Sequence, residues 1–125
     1  MDEKTILVAD DEPSIVVSLE YLLESEGYRV RVARDGNEAL AAVQEALPDL
    51  ILLDVMLPGM NGFEVCKRVR ETDGGRGVRI VMLTAKGRDI EISKGLALGA
   101  DAYVTKPFST RELMTTVREL LVGER

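Results

Sequence analysis

Histidine and tryptophan are absent from this chain, cysteine occurs once, and three tyrosines and two phenylalanines are its whole aromatic content. Without histidine there is no Ser-His or Cys-His nucleophile pair, no zinc-protease motif and no phosphohistidine on the chain itself. The lone thiol, Cys66, excludes an intramolecular disulfide and fits a reducing compartment. It reads as a packing residue on a helix face, since nothing near it in sequence would activate it. No apolar run approaches the ~20 residues of a membrane span. The opening MDEKTILVADDEPS is acidic where a secretory signal is basic, so a cytoplasmic protein with no membrane partner is expected. A basic surplus is missing too: 16 Lys and Arg against 22 Asp and Glu leave a net charge of −6, the wrong sign for direct binding to nucleic acid.

What is left for chemistry is carboxylate, hydroxyl and lysine. The acids are uneven, with eight in residues 1 to 26 against the single base Lys4, whereas residues 86 to 125 hold seven bases and six acids. At 125 residues the chain suits one core, and a single domain over 1 to 125 with no second module is expected.

Five short β-rich apolar stretches recur along it: TILVA from Thr5, YRVRV from Tyr28, LILL from Leu50, VRIVML from Val78 and AYVT from Ala102. The intervals read as helices. Residues 13 to 26 open on Pro13, carry Ile15, Val16, Leu19, Leu22 and Leu23 at helical spacing, and stop at Gly27. Ala39, Leu40, Val43 and Leu47 continue the pattern before Pro48, and Phe63, Cys66 and Val69 give a third face after Asn61. Residues 88 to 98 give the weakest helical signal, since Gly95 interrupts the apolar pattern and Ile90 and Ile92 are β-branched. The last helix follows a capping-box pattern of Ser109 and Glu112, with Leu113, Val117, Leu120 and Leu121 on its apolar face. Strict βα alternation predicts a parallel sheet covered on both faces, and the near-continuous apolar strands suit burial on both sides. YRVRV alternates, which places it at a sheet margin, and the Gly-rich TDGGRGV reads as a surface loop.

In open α/β sheets, ligands bind beyond the carboxyl ends of the strands. Those ends carry Asp10, Asp11 and Glu12 after the first strand, Asp54 after the third, Thr84 after the fourth, and Thr105 with Lys106 after the fifth. Three converging aspartates repel one another, and an all-oxygen anionic set suits a hard divalent ion such as Mg²⁺. Three carboxylates then balance Mg²⁺ plus Lys106. Such a rim can hold a phosphoryl group, and a carboxylate can attack it to give an acyl phosphate. Singly, each residue has a plainer reading: Asp10 and Asp11 as helix caps, Asp54 as the start of the Pro58-Gly59 turn, Thr84 as a strand-end hydroxyl, Lys106 as a solvated charge, Tyr103 as a strand aromatic and Glu12 as rim charge. Those readings require several coincidences on one rim.

VADDE, LLDVMLPGMNGFE, VMLTA and GADAYVTKPF, in this order, resemble the receiver domain of bacterial two-component response regulators over essentially the whole chain. The resemblance implies a doubly wound, flavodoxin-like (CheY-like) (βα)₅ fold with strand order 2-1-3-4-5. It implies Asp54 as phosphoacceptor, and Asp11 and Asp54 as Mg²⁺ ligands with Asp10 nearby or acting through water and the Met56 backbone carbonyl completing the set. By the same resemblance Lys106 contacts the phosphoryl oxygen, Pro107 is cis, and Thr84 and Tyr103 form the switch. The implied partners are a sensor histidine kinase or histidine phosphotransfer protein, and a downstream effector or output domain. The resemblance implies that the signal emerges on the fourth helix, fifth strand and fifth helix, the face a homodimer would use; Ala102 stands where the family often has a second acid, which leaves dimerisation open. Met56 and Lys86 occupy positions where the family tunes phosphoryl lifetime. Two other classes compete: a pseudo-receiver that docks without phosphorylation, against which the intact acidic set argues, and an aspartyl-phosphate hydrolase, which needs a second acid where Met56 stands.

Overall fold

The apolar runs at Thr5, Leu50 and Val78 become the centre of a sheet because their side chains find cover on both faces. A computed structural model describes residues 3–85 and 87–122. Strands β1 (Thr5–Ala9), β2 (Arg29–Ala33), β3 (Leu50–Asp54), β4 (Arg79–Ala85) and β5 (Ala102–Lys106) alternate with helices α1 (Pro13–Ser25), α2 (Gly36–Glu45), α3 (Gly62–Glu71), α4 (Asp89–Ala97) and α5 (Thr110–Val122). All pairings are parallel, in the order β2-β1-β3-β4-β5. The predicted fold is therefore the observed one, and the alternating strand does lie at an edge.

The strand period divides the core in two. Leu7, Ile51, Leu53, Ile80 and Met82 point to one face, with Ala39 and Val43 of α2 and Val65, Cys66 and Val69 of α3. Ile6, Val8, Leu50, Leu52, Val81 and Leu83 point to the other, with Val16, Leu19 and Leu23 of α1 and Leu113, Val117 and Leu121 of α5. A fully buried side chain of this kind contributes about 1.5–3 kcal/mol of hydrophobic transfer free energy. Cys66 is one of these packing residues, and burial pushes its thiol pKa up.

Helix ends follow local chemistry. Helix α1 stops where Gly27 takes φ +95°, a left-handed conformation open to glycine. Asp35 and Asn61 cap α2 and α3 by accepting from the Glu38 and Glu64 amides. Of the expected box on α5, the Ser109 half forms, with Oγ accepting from the Glu112 amide at 3.2 Å.

The structure corrects two expectations and refines a third. Leu47 is not on α2, which ends at Glu45 with Ala46 already extended, because the residue before Pro48 is held out of the helical region. Gly95 does not interrupt α4: it is buried, and a Cβ there would sit 3.2 Å from Met82 Cγ, so the missing side chain lets the helix approach β4. The Gly-rich stretch is the expected surface loop, with a 3-10 turn, Gly75–Gly77, whose first glycine is buried.

Gly62 positions the loop that follows Asp54. A Cβ at residue 62 would lie 2.4 Å from the Asp54 carbonyl oxygen and 2.9 Å from Val55 Cα, both backbone atoms that cannot rotate away. Gly62→Ala is expected to cost about 1–3 kcal/mol, the range of a forced backbone shift. Urea unfolding checks this, and an unchanged midpoint would show that the loop yields freely.

Candidate functional site

Parallel pairing aligns the carboxyl ends of β1, β3, β4 and β5 on one rim, and the polar strand-end residues arrive there together. Asp10, Asp11 and Asp54 bring one carboxylate oxygen each within 4.8 Å of one another. Asp10 is fully buried and Asp54 nearly so, while Asp11 is exposed. Asp10 and Asp11 are not caps of α1: the cap position is Glu12, and its side chain makes no capping bond. Asp10 Oδ1 instead accepts from the Glu12 amide at 2.9 Å. Asp54 both starts a turn and faces the rim, its Oδ1 accepting from the Met56 amide at 3.1 Å and its Oδ2 lying 3.5 Å from Lys106 Nζ.

Lys106 is the hub of the rim. Its ammonium lies 2.8 Å from Asp10 Oδ2 as an ion pair and donates a hydrogen bond to Glu12 Oε1 at 3.1 Å. Burial alone would lower its pKa, but the carboxylates of Asp10, Glu12 and Asp54 outweigh that and hold it above the ordinary lysine value. Burial is also the main influence on Asp54 and pushes it above the ordinary carboxylate range; the neighbouring Asp10 adds to this, while the Met56 amide and Lys106 oppose it.

The buried Asp10 Oδ2 has no hydrogen-bond donor, and a single ammonium faces several carboxylates. Both facts fit a hard divalent cation. Its donors would be oxygen atoms only, as Mg²⁺ prefers.

The remaining expected residues are placed less directly. Thr84 is buried at the end of β4, and its hydroxyl donates to the Ala85 carbonyl at 3.0 Å. Tyr103 lies on β5 opposite Met82 and is 44% exposed, so its ring is turned outward here. The Lys106-Pro107 peptide is cis, as the resemblance implied. Lys86 lies outside the described residues. Sequence reasoning left Glu12 as rim charge, whereas the structure joins it to Lys106 across 94 positions. Only the proximity of the first and fifth strand ends to one rim hinted at this contact.

The chain belongs to the response regulator receiver domain family, whose model matches residues 6–118. It is 51% identical over 116 residues to the DNA-binding response regulator MtrA of Mycolicibacterium smegmatis, covering 93% of this chain and 50% of that protein. It is 49% identical over 116 residues to the phosphate regulon transcriptional regulatory protein PhoB of Rhizobium meliloti, covering 93% of this chain and 51% of that one. The chain spans about half the length of these curated relatives. The solved receiver domain of a sensor histidine kinase from Pseudomonas aeruginosa PAO1, which has a magnesium ion coordinated in its active site cleft, matches with a TM-score of 0.88 at 31% identity, covering 96% of this chain and 98% of that one. No helix among the described residues is long and apolar enough to cross a membrane.

Proposed function

We propose that this chain is a phosphorylation switch in which Asp54 attacks the phosphorus of a phosphohistidine on a sensor histidine kinase or histidine phosphotransfer protein. The new bond joins an Asp54 carboxylate oxygen to phosphorus, the phosphorus–nitrogen bond breaks, and the imidazole, already protonated on its other ring nitrogen, leaves as the neutral ring. Asp11, Asp54 and the Met56 backbone carbonyl would hold Mg²⁺, with Asp10 beside it or acting through water. When bound, the ion supplies charge compensation and alignment for the phosphoryl oxygens. Lys106 holds one of those oxygens. The observation that carries this reading is the meeting of Asp10, Asp11 and Asp54 with Lys106 on one rim.

An acyl phosphate adds about −1.5 to −2 charge and strong acceptors where Asp54 stood. The Thr84 hydroxyl, now spent on the neighbouring Ala85 carbonyl, has a better acceptor to turn to. Tyr103 then has reason to move inward behind it, which alters the face of α4, β5 and α5. That face would act on a downstream effector or output domain, or pair with a second copy, in the cytoplasm. A bias of a few kcal/mol between two packings suffices for such a switch.

Incubation with phosphoramidate and Mg²⁺ tests the reading. Intact mass is expected to rise by one phosphoryl group, and chelation of Mg²⁺ or the Asp54→Asn substitution to abolish the gain. Labelling of Asp54→Asn at the unaltered rate would overturn it. No labelling of the unaltered protein would favour a docking module, and sustained phosphate release from phosphomonoesters a hydrolase.

A further inference from the structure

We infer that Glu12 is a gate on Lys106, a positioning residue that occupies the ammonium at rest and must be displaced before a phosphoryl group can be held there. The inference rests on the phosphoacceptor reading above and adds a regulator to the same site. An ammonium has three N–H groups. Three carboxylates crowd this one, Asp10 at 2.8 Å, Glu12 at 3.1 Å and Asp54 at 3.5 Å, and it is Glu12 that accepts its hydrogen bond.

The three differ in how easily they can be given up. The Asp10 side chain is fully buried and tied by the Glu12 amide; Asp54 is nearly buried, tied by the Met56 amide, and is itself the group to be modified. The Glu12 side chain is 57% exposed, makes the well-aligned hydrogen bond to Lys106, and is not used to cap α1. Releasing it returns a carboxylate to water with little change in its solvation, whereas releasing Asp10 would strand a charge in the core. An arriving phosphoryl oxygen therefore takes the place of Glu12. Once the acyl phosphate exists, the freed Glu12 competes to recapture Lys106, which favours hydrolysis of the acyl phosphate, in which water oxygen bonds to phosphorus, the bond from phosphorus to the Asp54 oxygen breaks, and inorganic phosphate leaves.

Phosphoramidate labelling under saturating Mg²⁺ tests this with two variants. Glu12→Gln, which removes the charge, is expected to label about two- to fivefold faster at low salt, the effect of an exposed ion pair. The advantage should shrink toward none in about 1 M salt, where the screening length falls to about 3 Å. Glu12→Asp keeps the charge but is one methylene too short for the contact, and should match Glu12→Gln.

A readout without turnover accompanies the rates: beryllium fluoride, a tetrahedral phosphoryl mimic, should bind both variants more tightly than the unaltered protein by a similar factor in calorimetry. Thermal unfolding of both should stay close to that of the unaltered protein. If Glu12→Gln is unchanged or slower, or if Glu12→Asp behaves like the unaltered protein, the contact is no gate and the inference falls while Asp54 labelling stands. Failure of the unaltered protein to label or to bind beryllium fluoride removes the phosphoacceptor reading and the gate with it.

Discussion

Arg70→Ala is expected to lower stability by about 3 kcal/mol, the upper end of the cost of leaving partly buried acceptors without their charged donor. The Arg70 guanidinium uses every N–H it has. Nε and Nη2 donate to the Gly99 carbonyl at 3.0 and 2.7 Å, Nη1 to the Gly75 and Val78 carbonyls at 2.7 Å each, and Nη2 to Asp101 Oδ2 at 3.0 Å. One side chain thus binds the last turn of α3 to the 3-10 turn, the entry to β4 and the loop before β5. Asp101 extends the network by accepting from the Ile80 amide at 2.8 Å, with Arg79 3.6 Å away. With alanine at 70, three carbonyls and a carboxylate lose their donor together, and partly buried acceptors without donors cost about 1–3 kcal/mol each before relaxation. Arg70→Lys should recover little, because an ammonium cannot reproduce the planar fork. Urea unfolding with a constant slope is the measurement. A loss below about 1 kcal/mol would show that water replaces the guanidinium without penalty. The network lies at the amino ends of β4 and β5, opposite the acidic rim, so the folded fraction of the variant should still label at Asp54.

That network was invisible in the sequence, and the reason is physical. Three of the four acceptors of Arg70 are backbone carbonyls, which every residue supplies, so no pattern of side chains announces them. Gly95 misled for a related cause: its role is the space it leaves for Met82, and helix propensity weighs only its own backbone freedom. The strands and the acidic rim were legible because each rests on a local signal. A doubly buried strand must be apolar throughout, as LILL is, and a parallel sheet must bring its strand ends to one side, so Asp10, Asp54 and Lys106 meet whatever the helices contain. Strand order was available only through the resemblance. The Glu12–Lys106 pair lay beyond both routes, since strand-end placement brings residues to a rim but does not choose partners among them.

Lys106→Met, in the presence of a chelator near neutral pH, is expected to cost about 3–5 kcal/mol, because it leaves buried carboxylates without their countercharge. Asp10 Oδ2 has no hydrogen-bond donor to fall back on, and Asp54 keeps only the Met56 amide. The dependence on pH separates charge from packing. In the unaltered protein the raised pKa of Lys106 means that its stabilising contribution is fully present below the ordinary lysine value of 10.5 and is lost only as pH climbs through the higher folded value. Across the neutral range that contribution is constant. Asp54 behaves in the opposite sense: with a folded pKa above its ordinary 3.8, it penalises the folded state once it ionises, and removing Lys106 takes away one of the influences holding that pKa down. The deficit of Lys106→Met should therefore be small toward about pH 3, below the ordinary Asp value of 3.8, and widen as pH rises through the folded Asp54 value. Added Mg²⁺ should narrow it at neutral pH, since ion binding to the folded state supplies the missing positive charge and stabilises by mass action. A deficit of equal size at acidic and neutral pH, indifferent to Mg²⁺, would assign the loss to the packing of the lysine stem and remove electrostatic balance as the organising feature of the rim.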